Sequence, residues 1–159
     1  MLYYLSLGSN LGNREETLRQ AVKQIEQQVG HVLRCSSFFY SAPWGFNSVN
    51  DFCNLCCAVE TSQSPLTVLL TTQTIEQALG RKKKTQDGQY SDRPIDIDLI
   101  RAFDDSGKEI KCEITNDPNL QTPTSKLQSP LSSIPLLTLP HPLWEQRDFV
   151  KIPLSEIMP

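Results

Sequence analysis

Hydrophobic positions along the chain change their period several times, and each change marks an element. Residues 2–7 form a short apolar run that predicts a strand, and Gly8-Ser9-Asn10 predicts the turn that stops it. Leu18, Val22, Ile25 and Val29 then recur at helical intervals. Asn13 stands at the N-cap with Glu16 three residues on, and Gly30 supplies the stop. Segments 32–41 and 51–60, rich in Phe, Val and Cys, predict two strands joined by a connection too long for a tight hairpin. Ser64-Pro65 opens a second helix with Val68, Ile75 and Leu79 on one face, and Gly80 ends it. Ile95, Ile97 and Leu99 alternate with Asp96, Asp98 and Ile100, which predicts another strand.

The resulting order, β-α-β-β-α-β, is that of a ferredoxin-like core: an α+β fold with an antiparallel sheet and helices packed on it. Residues 81–91 are polar and basic without an apolar period and read as a mobile surface loop. An edge strand is expected within 108–115, after the turn at Asp104-Asp105-Ser106-Gly107. Residues 116–136 are rich in Pro, Ser and Thr, a stretch whose length implies either function or disorder. Short apolar pieces at 137–139 and 149–152 complete a C-terminal extension, and the 159 residues read as one domain.

Composition narrows the class. A hydrophobic fraction of 38% with 21% charged residues is that of an ordinary globular protein. A net charge of -3 gives no global reason to expect nucleic acid as a partner. No basic leader and no run near the roughly 20 apolar residues of a membrane span is visible, which implies a cytoplasmic protein without a membrane partner. Five cysteines, an odd number, suit reduced thiols. Cys53 and Cys56 match C-x-x-C, but on a strand they point to opposite faces and read as small buried hydrophobes.

Asp96-Ile97-Asp98 is the sharpest chemical feature. Carboxylates at i and i+2 of a strand share one side, roughly 6.6 Å apart along the chain. Two carboxylates so placed repel unless a cation neutralises them, and a hard metal ion does so naturally. Arg93 and the Arg81-Lys82-Lys83-Lys84 run lie just upstream, a combination suited to a magnesium polyphosphate. Gly8 to Gly12 precedes a helix but fits neither common phosphate-loop pattern. Trp44, Phe46, Phe52 and Asn54 bring aromatics and an amide together, as a planar heterocycle would require. His141 and Arg147, late in the chain, could serve phosphate oxygens.

In this order the pieces resemble the 6-hydroxymethyl-7,8-dihydropterin pyrophosphokinases of folate biosynthesis. The matching residues are Leu7 to Leu11, Phe39 to Gly45, Asp51 to Asn54, Ile75 to Arg81, Arg93 to Ile100 and Leu139 to His141. The R-x-x-D-[LIV]-D core is the specific one. The resemblance implies transfer of pyrophosphate from ATP to the dihydropterin hydroxymethyl oxygen, with release of AMP. It implies that Asp96 and Asp98 hold two Mg2+ ions, with Arg81 and Arg93 also catalytic. Phe52 and Phe149 would sandwich the pterin, Asn54 would bind its edge, and Ser41, Ala42, Pro43 and Trp44 would line its pocket. Gln73, Glu76, Lys83, Tyr90, Arg93, Thr138, His141 and Arg147 would surround ATP. A monomer acting on small molecules is implied. The rival readings are a catalytically inactive pterin or nucleotide sensor and a ferredoxin-like RNA-binding module. The chain departs from the family in carrying Ser91-Asp92, where Gly-Pro usually precedes the arginine, and Leu136, where a cation is usual.

Overall fold

The first strand outlasts its apolar run. In the computed structural model, which describes residues 1–81, 92–115 and 136–159, β1 covers Leu2–Ser9 and does not stop before Gly8. Gly8 faces Asn54 on one side and Asp96 on the other, and Ser9 faces Cys53. Pairing with neighbouring strands overrides the local turn preference of these residues. Helix α1 (Arg14–Gln28) starts where its cap predicts: Asn13 Oδ1 accepts from the Glu16 N–H at 3.3 Å, and Leu18, Ala21 and Ile25 bury.

The segment expected as one strand over 32–41 is two, β2 (His31–Cys35) and β3 (Phe39–Ser41). Both lie along one edge of β4 (Phe52–Glu60). Ser36 makes the joint. Its N–H donates to Cys56 O at 2.8 Å, and its Oγ accepts from the Cys56 N–H at 2.9 Å. The hydroxyl takes the place of a ladder carbonyl, so the edge bends without orphaning a buried backbone group.

Helix α2 (Pro65–Ala78) is capped by Ser64 Oγ, which accepts from the Thr67 N–H, and the chain leaves it through Gly80 at φ +104°. Strand β5 (Asp96–Phe103) follows. The expected edge strand is β6 (Cys112–Ile114), which pairs with β7 (Leu137–Leu139) in a separate two-stranded ribbon. The apolar piece at 149–152 belongs to a longer helix, α3 (Asp148–Ile157), preceded by a 3-10 turn at Trp144–Gln146. Pro153 lies inside this helix and is buried, although proline usually interrupts one.

The main sheet has the antiparallel order β2-β4-β1-β5, with β3 beside β4, and so belongs to the α+β class the sequence implies. Helices α1 and α2 cover one face, where Leu18, Ile25, Val68 and Ile75 meet Tyr3, Leu5, Leu7, Leu55 and Ile97. Helix α3 covers part of the other, with Val150, Leu154 and Ile157 on Tyr4, Cys56, Ala58 and Ile100. Cys53 and Cys56 therefore lie on opposite faces, as their spacing requires. Among the described residues no helix is long and apolar enough to cross a membrane.

Candidate active site

Strand periodicity delivers the aspartate pair as the sequence predicts. Ile95 and Ile97 are fully buried on the α1/α2 side, and Asp96 and Asp98 project from the opposite face. Register then builds two rows across β4, β1 and β5. One is Asn54–Gly8–Asp96; the next is Cys56–Ser6–Asp98. Gly8 stands between an amide and a carboxylate, and its missing side chain keeps the floor open: a Cβ there would lie 3.0 Å from Asn54 Oδ1.

Above that floor is an open cleft of about 430 Å3, solvent space included. Ser6, Gly8, Phe52, Asn54, Asp96 and Asp98 come from the sheet. Ser41, Ala42 and Trp44 come from β3 and the following loop, and Arg147 and Phe149 from the start of α3. Asn54 Nδ2 donates to Phe39 O at 3.0 Å and Ser41 Oγ at 2.9 Å, which leaves Oδ1 standing over Gly8 as an acceptor. Phe52 carries the Arg93 guanidinium 5.1 Å from its centroid and the Phe46 ring edge-on. Arg147 sits 4.4 Å over Trp44 and 5.7 Å from the centroid of Phe149. A planar, electron-rich ring entering here meets aromatic faces, guanidiniums and a fixed amide together.

The carboxylates are braced from behind. Arg81, only 5% exposed, places Nη1 2.9 Å from Glu76 Oε2, 3.1 Å from Ile95 O and 2.5 Å from Asp96 Oδ1. Burial opposes its charge, but Asp96 and then Glu76 outweigh that and hold its pKa above the ordinary guanidinium value. Glu76 Oε2 also accepts from the Ile97 N–H at 3.0 Å, which ties α2 to β5. Arg93 Nη2 approaches Asp96 Oδ2 at 3.7 Å. Asp96 is thus held by two guanidiniums, with Asp98 two residues on along the same face of β5. Among the described residues no three side chains converge as a self-sufficient metal cage. Such a pair fits a magnesium ion that takes its remaining ligands from phosphate and water.

The cleft therefore gathers Ser41, Ala42, Trp44, Phe52, Asn54, Arg93, Asp96, Asp98, Arg147 and Phe149 from the expected site residues. Pro43, Gln73, Thr138 and His141 are not among the residues that line it, and Glu76 and Arg81 lie behind it. Thr138 is on β7, and the His141 N–H donates to Ile100 O beside β5. Lys83 and Tyr90 lie outside the described residues. Sequence reasoning missed Ser6 and Gly8 as cleft residues. A glycine inside an otherwise apolar strand was the signal for close approach, and it was read as a turn.

A family model described as 7,8-dihydro-6-hydroxymethylpterin-pyrophosphokinase (HPPK) matches residues 4–159. A 2-amino-4-hydroxy-6-hydroxymethyldihydropteridine pyrophosphokinase of Porphyromonas gingivalis is 40% identical over 99% of this chain and 91% of its own length. The protein of the same name from Bacillus subtilis is 32% identical over 97% of this chain and 76% of its own. A crystal structure of HPPK-DHPS in complex with substrates superposes with a TM-score of 0.64 at 17% identity. It covers 99% of this chain and 40% of that one, a likeness of fold.

Proposed function

Since the chain belongs to the 7,8-dihydro-6-hydroxymethylpterin-pyrophosphokinase family and is a pyrophosphokinase of folate biosynthesis, we propose that its cleft joins ATP and the hydroxymethyl-dihydropterin over Asp96 and Asp98. The observation that carries this reading is the row Asn54–Gly8–Asp96, which sets an amide in an aromatic-lined cleft directly beside a carboxylate pair. Pterin stacks between Phe52 and Phe149, with its polar edge on Asn54 Oδ1 and its hydroxymethyl group toward the aspartates. ATP approaches from the β5 and α3 side, with Arg93 and Arg147 toward its phosphates and Gln73, Thr138 and His141 farther out. Lys83 and Tyr90 would join from the basic segment.

In the reaction the hydroxymethyl oxygen attacks the β-phosphorus and loses its proton. The bond from that phosphorus to the α,β-bridging oxygen breaks, and AMP leaves. Asp96 and Asp98 would hold two Mg2+ ions, which supply charge neutralisation along the triphosphate. The protein's share is alignment and charge. Phe52 and Asn54 fix the nucleophile, the arginines offset charge on the transferring oxygens, and Trp44 and Arg147 keep water from the pocket. Glu76 positions Arg81, and Arg81 orients Asp96. The 159 residues act as a single cytoplasmic, monomeric domain. Intact Asp96 and Asp98 disfavour a sensor, and the acidic net charge disfavours an RNA-binding module.

The test is AMP release from ATP and magnesium, with and without the pterin, for wild type and Asp98→Ala. Pterin-dependent AMP, abolished by a chelator and reduced at least about 10²-fold in the variant, is expected. A wild type that yields no AMP although folded, or a variant at near-normal rate, would remove the corresponding part of the assignment.

A further inference from the structure

One hydrogen-bonded cluster lies beside the cleft and is used by none of the roles above. Asn10, 2% exposed, follows β1 and uses every polar atom of its side chain. Its Oδ1 accepts from the Arg93 N–H at 2.7 Å, and its Nδ2 donates to Asn50 O at 3.2 Å and Asp92 Oδ1 at 2.7 Å. Its N–H donates to Arg93 O at 3.2 Å. The second Asp92 oxygen accepts from Asn50 Nδ2 at 3.1 Å. Ser48 Oγ accepts from the Asn50 N–H at 3.1 Å, and the hydroxyl helps hold the Asp92 carboxyl below the usual carboxylate range. One carboxylate thus closes a ring through three separate stretches of chain.

The connections run to functional groups at both ends. Asn50 and Ser48 end the 42–51 loop, which begins with the cleft residues Ala42 and Trp44 and sets Phe46 against Phe52. Asp92 immediately precedes Arg93, whose guanidinium lies over Phe52 and near Asp96. A loop of this length holding several cleft residues loses binding-competent order unless both ends are tied. Ser41 pairing with Phe52 brings its two ends together. Within it, the stretch before β4 is held down by Asp92 and by Arg14, which donates to Asp51 O at 2.8 Å.

We propose that Asp92 is a positioning residue of the pterin pocket: its carboxylate fastens the 42–51 loop, and with it Trp44, to the segment that carries Arg93. The assignment rests on the pterin reading of the cleft given above. Asp92 touches no substrate. Its effect falls on how often the pocket is formed, hence on pterin affinity rather than on the chemical step.

A donor–acceptor exchange tests this. In D92N an amide N–H2 replaces the oxygen that Asn50 Nδ2 donates to, so two donors face each other. In N50D two carboxylates face each other. In N50D/D92N the bond is restored with its direction reversed, while residue 92 still accepts from Asn10. Pterin binding by calorimetry, KM and kcat by AMP release, and thermal melting are measured for all four proteins. Each single variant is expected to raise the pterin Kd and KM about five- to tenfold, with kcat within about twofold, and the double variant to return within about twofold of wild type. Should D92N melt early, S48A, which deletes one hydroxyl of the same cluster, is expected to weaken pterin about two- to fivefold. Unchanged pterin affinity in D92N, or a double variant no better than D92N, overturns the proposal. So does a loss confined to kcat. Because the titration needs no turnover, a wild type that binds pterin but releases no AMP would strike the reaction assignment alone. A wild type that does not bind pterin would overturn both.

Discussion

Gly8→Ala separates what the strand requires from what the cleft requires. Gly8 is not among the described glycines with positive φ, so alanine suits its backbone. Loss of glycine freedom in the unfolded chain favours the variant by about 0.4–1 kcal/mol. Against this, the new Cβ would stand 3.0 Å from Asn54 Oδ1 and 3.4 Å from Phe52 Cδ1. Neither neighbour yields freely, because Asn54 is held by Phe39 O and Ser41 Oγ, and Phe52 lies under Arg93. Overpacking of this kind costs about 1–3 kcal/mol, so folding stability falls by no more than about 2–3 kcal/mol. At roughly 2–4 °C per kcal/mol, the melting temperature drops by less than about 12 °C. The ligand has no compensating gain. A methyl group on the floor occupies space the pterin ring needs and shifts the amide that reads its edge. Pterin affinity should fall by about 1–3 kcal/mol, or about 5- to 150-fold. Calorimetric titration with hydroxymethyl-dihydropterin, paired with a thermal melt, measures both quantities. Unchanged affinity would refute the placement of the pterin over Gly8. A melting drop beyond about 12 °C would refute the claim that the strand tolerates alanine.

Gly30→Ala should show the opposite pattern: its Cβ would meet Glu60 O at 2.3 Å and Thr61 Cβ at 2.6 Å, where backbone must move. Urea unfolding is expected to report a loss of about 1–3 kcal/mol with pterin affinity intact. Arg81→Ala leaves Glu76 buried beside Asp96 without its guanidinium partner, and should cost about 3–5 kcal/mol in the same measurement. Tyr3 is fully buried with its O–H donating to Gln63 O at 2.7 Å, and burial foremost, with Cys112 adding to it, pushes its pKa up to about 12. Its folded pKa lies above the unfolded value near 10, so its contribution is complete below about pH 10 and lost as pH rises toward 12. Ultraviolet titration of the folded protein should show this phenol ionising well after an exposed one.

Legibility in the sequence followed the range of the interactions. Helices α1 and α2 were readable because Asn13, Ser64 and the apolar spacing act within a few residues. The direction of Asp96 and Asp98 was readable because a strand alternates locally, whatever it pairs with. The split at Ser36 was not, since it depends on a hydroxyl finding Cys56 twenty residues away. Nor was the extent of β1, which Asn54 and Asp96 decide from two other strands. Helix α3 was half readable: Val150, Leu154 and Ile157 carry its period, but Pro153 gives the contrary local signal. Most pocket residues came through resemblance, because no spacing along the chain says that Trp44 will meet Arg147.

The same long-range pairing explains why an apolar sheet face opens into a polar cleft. Between β1 and β5 the register shifts after Tyr4, leaving Ile100 as an extra residue between the partners Leu99 and Arg101. Beyond that bulge Ile100 turns into the α3 contact with Tyr4, Cys56 and Ala58, while Asp96 and Asp98 remain on the near side. Helix α3 covers the apolar end and begins, with Arg147 and Phe149, at the edge of the polar one. Had the helix reached farther, it would have buried Asp98 against hydrocarbon at a cost no ion pair readily offsets. The boundary between core and site therefore lies between Ile100, which packs under α3, and Asp98, which lines the cleft, and the aspartates stay open because the apolar packing ends before them.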